Sequence, residues 1–134
     1  MHENILIVDD EPNLALMLAD VLADAGYDPH TIDNGRDALE TAHRDPPDLM
    51  LLDVQMPGID GFEVAARMKS DPATAAIPII MLSAMEGRGA RVIGLQSGAE
   101  EYLAKPFDPV ELLARVRNLL RLRESAMDAG HATE

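Results

Sequence analysis

Three short runs of apolar residues mark the chain, and each is followed by polar or turn-forming residues. They occupy residues 5–8, 49–52 and 77–82, and a shorter run follows at residues 101–104. Apolar runs of this length are typical of strands buried on both faces of a parallel sheet. Residues 28–32 form a weaker candidate strand, so the pattern predicts a sheet of five strands.

Helical spacing of apolar residues separates these candidate strands. Leu14, Leu18 and Leu22 recur on one helical face between Pro12, which suits a first helical turn, and Gly26, which suits a helix end. Further helices are predicted at about residues 36–43, 61–69 and 88–97, and after Asp108-Pro109. Strands that alternate with helices through short connections predict an α/β fold with a parallel sheet.

Five strand–helix units fill the chain, and we therefore expect a single domain over residues 3–123. The remaining residues 124–134 are mostly small and polar. They predict a frayed C-terminal tail or the start of a linker.

Composition excludes several functions. Hydrophobic residues make up 47% of the chain and aromatic residues only 3%, so the core must be aliphatic. The formal net charge of −13 argues against direct binding of nucleic acid by this segment. Cysteine is absent, which excludes disulfides, thiolate metal sites and cysteine nucleophiles. No signal peptide and no apolar run of ~20 residues is evident, so we expect a cytoplasmic protein without membrane contact.

Polar residues gather where the candidate strands end. Asp9 and Asp10 follow the first strand, Asp53 ends the third, Ser83 the fourth, and Lys105 follows the fifth. The carboxyl ends of parallel strands meet at one edge of a sheet, so these side chains should converge.

The converging side chains suit phosphoryl transfer. Three carboxylates repel one another, and a cluster of oxygen ligands without His or Cys favours Mg²⁺. A carboxylate could attack phosphorus while the metal and the Lys105 ammonium neutralise charge on the phosphoryl oxygens. Each residue alone has an ordinary explanation as a cap or a loop residue; their joint occurrence is what favours a site.

Five segments carry a resemblance to the receiver domains of two-component response regulators. They are ILIVDDE at residues 5–11, LLDVQMPGIDG at 51–61, IIMLSA at 79–84, GAEEY at 98–102 and KPF at 105–107. The resemblance covers roughly residues 3–123. It implies a doubly wound, flavodoxin-like (βα)5 fold with strand order 2-1-3-4-5 and helices on both faces.

The resemblance also implies a phosphorylation-activated signalling switch rather than an enzyme, although the domain assists its own phosphorylation and dephosphorylation. Asp53 would accept a phosphoryl group from a phosphohistidine on a sensor histidine kinase or a histidine phosphotransfer protein. Side chains of Asp10 and Asp53 and the backbone carbonyl of Gln55 would bind Mg²⁺, with Mn²⁺ as a substitute. Asp9 would hold the metal through water.

Other residues would respond to the phosphoryl group. Lys105 would pair with one of its oxygens, and the Ser83 hydroxyl would move to bond another. Tyr102 would then swing inward. Gln55 and Ala84 flank the place where the family tunes removal of the phosphoryl group by water. The resemblance further implies a cis peptide bond between Lys105 and Pro106.

Charged residues near the end of the chain have two readings. The ordinary one is a solvated helix face. The more specific interpretation is a phosphorylation-dependent homodimer through the face of helix four, strand five and helix five. Response regulators of the winged-helix branch dimerise in this way. Its contacts would come from Arg91, Glu100, Glu101 and Arg115.

Several functions remain open on the sequence alone. The chain could be a stand-alone receiver that acts on a downstream protein, or the receiver of a larger regulator with a fused DNA-binding or enzymatic output domain. A third alternative, an aspartyl-nucleophile phosphatase, is disfavoured. Such enzymes normally have a second Asp two residues after the nucleophile, where this chain has Gln55. A degenerate receiver is disfavoured because the site residues are all present.

Overall fold

A five-stranded parallel sheet forms the centre of the molecule in a computed structural model, which describes residues 2–84 and 88–132. The strands are β1 (Asn4–Val8), β2 (Asp28–Ile32), β3 (Leu49–Asp53), β4 (Ile79–Ser83) and β5 (Glu101–Ala104). Their order in the sheet is β2-β1-β3-β4-β5. The α/β fold class and the strand order expected from the sequence are therefore confirmed.

Helices cover both faces of the sheet. They are α1 (Pro12–Asp24), α2 (Gly35–Arg44), α3 (Gly61–Ser70), α4 (Arg88–Gln96) and α5 (Pro109–Ala132). Helices α2, α3 and α4 pack on one face around Met50, Leu52 and Met81. Helices α1 and α5 pack on the other face around Ile7, Leu51 and Ile80. Alternate residues of each central strand thus enter different layers, which is why the strands read as continuous apolar runs.

Short connections bring the helices back to the edge where the strands end. The Asn34 side chain accepts a hydrogen bond from the Asp37 N–H at 2.8 Å and so caps α2. Asp60 caps α3 in the same way through the Glu63 N–H at 2.9 Å. Side-chain caps of this kind satisfy backbone donors that the first helical turn leaves unpaired.

Two element boundaries differ from the sequence prediction. β4 begins at Ile79 rather than at residue 77, because Pro78 has no N–H to donate to a neighbouring strand. α5 continues to Ala132, past Glu124, where fraying was expected. Residues 125–132 contain three alanines and no proline, and the single Gly130 does not end the helix. Whether residues 124–134 serve as a tail or as a linker stays a prediction, and residues 133–134 lie outside the described residues.

Within the described part of the chain, no helix combines the length and the apolar character needed to cross a bilayer. The cytoplasmic location expected from the sequence stays a prediction.

Candidate functional site

The carboxyl ends of the central strands are level with one another. Leu52 of β3 lies opposite Val8 of β1, and Asp53 lies opposite Leu82 of β4. Ser83 lies opposite Ala104 of β5. The residues that follow β1 and β5, Asp9 and Lys105, therefore meet Asp53 and Ser83 at the same edge of the sheet, as the sequence predicted.

Asp9, Asp10 and Asp53 form a cluster in which each offers a carboxylate oxygen, and these oxygens all lie within 4.8 Å of one another. Asp9 and Asp53 are only 3% and 5% exposed, whereas Asp10 lies at the surface. Carboxylate oxygens alone make up this donor set, which fits a hard divalent cation such as Mg²⁺ better than a metal that prefers nitrogen or sulfur.

Lys105 places the one described ammonium group of the site between two of these carboxylates. Its Nζ lies 3.2 Å from Asp53 Oδ1 and 3.5 Å from Asp9 Oδ2. The Lys105 backbone N–H donates to the Ser83 carbonyl at 2.6 Å, which fixes the start of the following loop against β4. The Lys105–Pro106 peptide bond is cis, as the resemblance implied.

Asp53 carries an incompletely compensated negative charge. Burial raises the pKa of its carboxyl above the ordinary value, and the Asp9 carboxylate raises this pKa further. Lys105 and the Gln55 backbone N–H act in the opposite direction without cancelling these effects. A buried carboxylate in this electrostatic state gains from additional positive charge nearby.

The remaining predicted site residues occupy different environments. Ser83 is fully buried, and Tyr102 is 5% exposed, with its ring in the layer that contains Met81 and Ala90. Gln55 and Ala84 lie at the surface. Tyr102 is thus already buried in this structure, whereas the resemblance implied that it turns inward in response to phosphorylation.

Gly61 is a residue that sequence reasoning did not single out for a role at the site. A Cβ atom at Gly61 would lie 2.5 Å from the Asp53 carbonyl oxygen and 2.8 Å from the Val54 Cα. The first residue of α3 therefore has to be glycine for the helix to start against the backbone of Asp53. A sequence signal was available, because glycine is a poor residue for a helical first turn.

The four candidate dimer residues do not behave as one group within the chain. Arg115 pairs with Glu101 at 2.8 Å, whereas Glu100 binds Lys69 at 2.9 Å and accepts a hydrogen bond from the Ile79 N–H at 2.7 Å. Arg91 lies at the surface of α4. Their role in an interface stays a prediction.

Comparison with known proteins identifies the family to which this arrangement corresponds. Residues 5–117 match the family described as the response regulator receiver domain. A crystal structure of a candidate response regulator from Chloroflexus aurantiacus superimposes with a TM-score of 0.87 at 41% sequence identity, covering 90% of this chain and 99% of that chain.

Two curated relatives are longer proteins. The response regulator PleD of Caulobacter vibrioides is 48% identical over 124 residues, which cover 92% of this chain and 27% of PleD. The DNA-binding response regulator MtrA of Mycolicibacterium smegmatis is 44% identical over 124 residues, which cover 92% of this chain and 53% of MtrA. The chain therefore spans about a quarter to about a half of the length of these relatives.

Proposed function

The chain belongs to the response regulator receiver domain family, and we propose that Asp53 is the residue on which it accepts a phosphoryl group. Receiver domains are signalling switches, and this chain is consistent with phosphorylation-activated signalling. The observation that carries the proposal is the environment of Asp53. A buried carboxyl group with a raised pKa lies 3.2 Å from a lysine ammonium, and its oxygen lies within 4.8 Å of oxygens of two further carboxylates.

The proposed reaction transfers the phosphoryl group from nitrogen to oxygen. An Asp53 carboxylate oxygen attacks the phosphorus of a phosphohistidine on a sensor histidine kinase or a histidine phosphotransfer protein. A P–O bond forms, the P–N bond breaks, and its electron pair remains on the imidazole of the donor. Lys105 is placed to pair with a phosphoryl oxygen and to offset the negative charge that arrives.

Mg²⁺ is the proposed cofactor, and Mn²⁺ could replace it. Asp10, Asp53 and the Gln55 carbonyl would bind the ion directly, and Asp9 would hold it through water. Their oxygen-only chemistry fits either ion. When bound, the ion would neutralise charge on the transferring group.

Ser83 and Tyr102 are proposed to report the change. Ser83 ends β4 next to Asp53, so its hydroxyl can approach a phosphoryl oxygen with little backbone movement. Ala84 follows it at the surface and, with Gln55, is placed to influence how water reaches the phosphorus. Movement of Ser83 would displace Tyr102 through the pairing of β4 with β5. The displacement would alter the surface formed by α4, β5 and α5.

The altered surface is proposed to bind a downstream protein or a fused output domain. The relatives PleD and MtrA are longer than this chain, and MtrA is described as DNA-binding, so a larger regulator is the alternative to a stand-alone receiver. We also propose a phosphorylation-dependent homodimer through this surface, with contacts from Arg91, Glu100, Glu101 and Arg115.

Acetyl phosphate with Mg²⁺ tests the assignment of Asp53. We expect intact-mass spectrometry to detect a single phosphoryl adduct on the wild-type chain and none on Asp53→Ala or on wild type in excess EDTA. Asp24→Ala is the matched control, because Asp24 is an exposed acid at the far end of α1. An adduct that survives Asp53→Ala would overturn the assignment, as would its loss in Asp24→Ala.

A further inference from the structure

The ring of Tyr102 packs directly against the backbone of α4 at Gly94. A Cβ atom at Gly94 would lie 2.7 Å from Tyr102 Cδ2 and 3.2 Å from Tyr102 Cε2. It would also lie 3.2 Å from Met81 Sδ. The space that any side chain at this position would need is therefore filled from two sides, by the tyrosine ring and by the β4 methionine.

Backbone conformation does not explain a glycine at this position. The described glycines with positive φ are Gly26, Gly58 and Gly98, and Gly94 is not among them. Glycine inside a helix is less favourable than alanine. What glycine provides at position 94 is the absence of a side chain. This lets α4 approach β5 closely enough to bury Tyr102.

Gly89 lies on the same helix and shows what a glycine without this role looks like. A Cβ atom at Gly89 would meet nothing within 4 Å, and the residue is at the surface. The two glycines of α4 thus differ in their surroundings but share helix, residue type and ordinary φ. Gly89→Ala is therefore a control for replacing a glycine of α4 without any contact with Tyr102.

We propose that Gly94 is a positioning residue that holds Tyr102 in its buried position. A side chain at Gly94 would force either the ring or α4 to shift, and the inference is that the ring turns outward, toward the surface on which α4 exposes Val92, Ile93 and Leu95. An aromatic ring added there would enlarge the apolar face that a partner meets. This inference rests on the proposed function only in assigning that face to signalling; the contact between Gly94 and Tyr102 stands without it.

The test compares Gly94→Ala with Gly89→Ala by the rate at which tetranitromethane nitrates Tyr102. Tyr27, the other tyrosine of the chain, is the internal reference in each sample. We expect Gly94→Ala to raise the nitration rate of Tyr102 by roughly fivefold or more, the population change that a modest steric penalty produces. Tyr27 should react at the wild-type rate in both variants, and Gly89→Ala should leave Tyr102 unchanged.

A second comparison covers the case in which Gly94→Ala weakens the fold as a whole. In a Tyr102→Ala background the ring is gone and only the Met81 contact remains, so adding Gly94→Ala should lower the urea midpoint by less than it does in the wild-type background. Equal nitration of Tyr102 in Gly94→Ala and in wild type overturns the inference. An equal fall of the urea midpoint with and without the ring overturns it as well.

Acetyl phosphate labelling separates this inference from the proposed function. Gly94 lies outside the carboxylate cluster, so Gly94→Ala should take a phosphoryl group on Asp53 to the wild-type extent. Failure of the wild-type chain to take the group would count against the proposed function and leave the nitration result intact. Normal labelling with unchanged Tyr102 exposure would count against Gly94 alone.

Discussion

At the scale of single residues, Asp53 is held in an environment that opposes its own charge. It is 5% exposed and lies beside Asp9, and its nearest described cation is the Lys105 ammonium at 3.2 Å. The negative charge of Asp53 and Asp9 lowers the stability of the metal-free fold, and the same charge favours binding of a divalent cation. Binding and stability therefore act in opposite directions on the same carboxylate.

Replacing Asp53 with asparagine should stabilise the metal-free chain. The folded-state pKa of Asp53 lies above its ordinary value of 3.8, so the folded form binds this proton more tightly than the unfolded form does. Its contribution to stability is therefore lost as pH rises from about 3.8 through the raised folded value. Urea denaturation in EDTA at pH 7 should show a higher midpoint for Asp53→Asn than for wild type, because the asparagine side chain has no charge to bury. This difference should vanish on acidification.

Asp71 provides a control of opposite sign. A hydrogen bond from His43 at 2.7 Å, and another from the Ala73 N–H, lower the pKa of this carboxyl. Its contribution is present above the unfolded value and is lost as pH falls through the lowered folded value. Asp71→Asn should therefore destabilise the chain at pH 7. Equal effects of the two asparagine variants would contradict the electrostatic account of Asp53.

At the scale of elements, helix α5 is attached to the amino ends of the strands, opposite the end at which the site lies. Arg123 donates to Asp48 Oδ1 at 2.7 Å, while Asp48 Oδ2 accepts from the Asn4 N–H at 2.7 Å. The Asp48 carboxylate thus joins Arg123 of α5 to the starts of β1 and β3. Both side chains are about a third exposed, so the bond to Arg123 is only partly screened by solvent.

Removing this carboxylate should cost more than removing its arginine partner. We expect Asp48→Ala to lower the free energy of unfolding by about 1 kcal/mol, since it removes the acceptor of both the Arg123 guanidinium and the exposed Asn4 N–H. Arg123→Ala should cost about 0.5 kcal/mol, and Arg121→Ala, a surface change on the same helix, less than that. Urea midpoints at constant m-value measure all three. An Arg121→Ala effect as large as that of Asp48→Ala would contradict this.

Elements were predictable where a local pattern coincides with a tertiary need. The buried strands and the site at their carboxyl ends follow from apolar runs that stop at Asp9, Asp53 and Ser83, because parallel strands must align their ends. The strand order came from the resemblance to a family rather than from periodicity.

Other features depend on contacts between distant segments, and local patterns do not record these. Gly61 and Gly94 have low helix propensity, and the reason for each lies in a distant residue: a Cβ atom would meet the Asp53 backbone at Gly61 and the Tyr102 ring at Gly94. Glu100 and Glu101 looked alike in the sequence, but one joins α3 to β4 and the other joins β5 to α5. The convergence of Asp9, Asp10, Asp53 and Lys105 could be predicted because their positions are set by the sheet itself.

For the whole molecule, charge and apolar surface are distributed unevenly. The chain carries a formal net charge of −13, which disfavours association of two copies. Helix α4 nevertheless exposes Val92, Ile93 and Leu95 beside the cationic Arg91. In the proposed dimer this apolar surface is covered, and Arg91 of one copy offsets the charge of Glu100 or Glu101 on the other.

Dimerisation should therefore respond both to a phosphate mimic and to charge at Arg91. We expect beryllofluoride with Mg²⁺ to shift sedimentation velocity from monomer toward dimer, and Arg91→Glu to reduce that shift. Arg36→Glu makes the same charge change at an exposed position of α2. As the matched control, it should leave the shift in sedimentation unchanged. Identical sedimentation with and without beryllofluoride would contradict the dimer proposal, and equal effects of the two variants would remove Arg91 from it.

The edge position of β5 has a mechanical consequence for the molecule. Among the described strands, β5 is hydrogen-bonded only to β4, and its consecutive residues Tyr102 and Leu103 enter opposite apolar layers. A small sliding of β5 would strain one ladder of hydrogen bonds, whereas any interior strand would strain two. The same sliding would repack α4 on one side and α5 on the other. Like β2 at the other edge, β5 is therefore easier to displace than an interior strand, and its displacement would couple the two faces of the sheet.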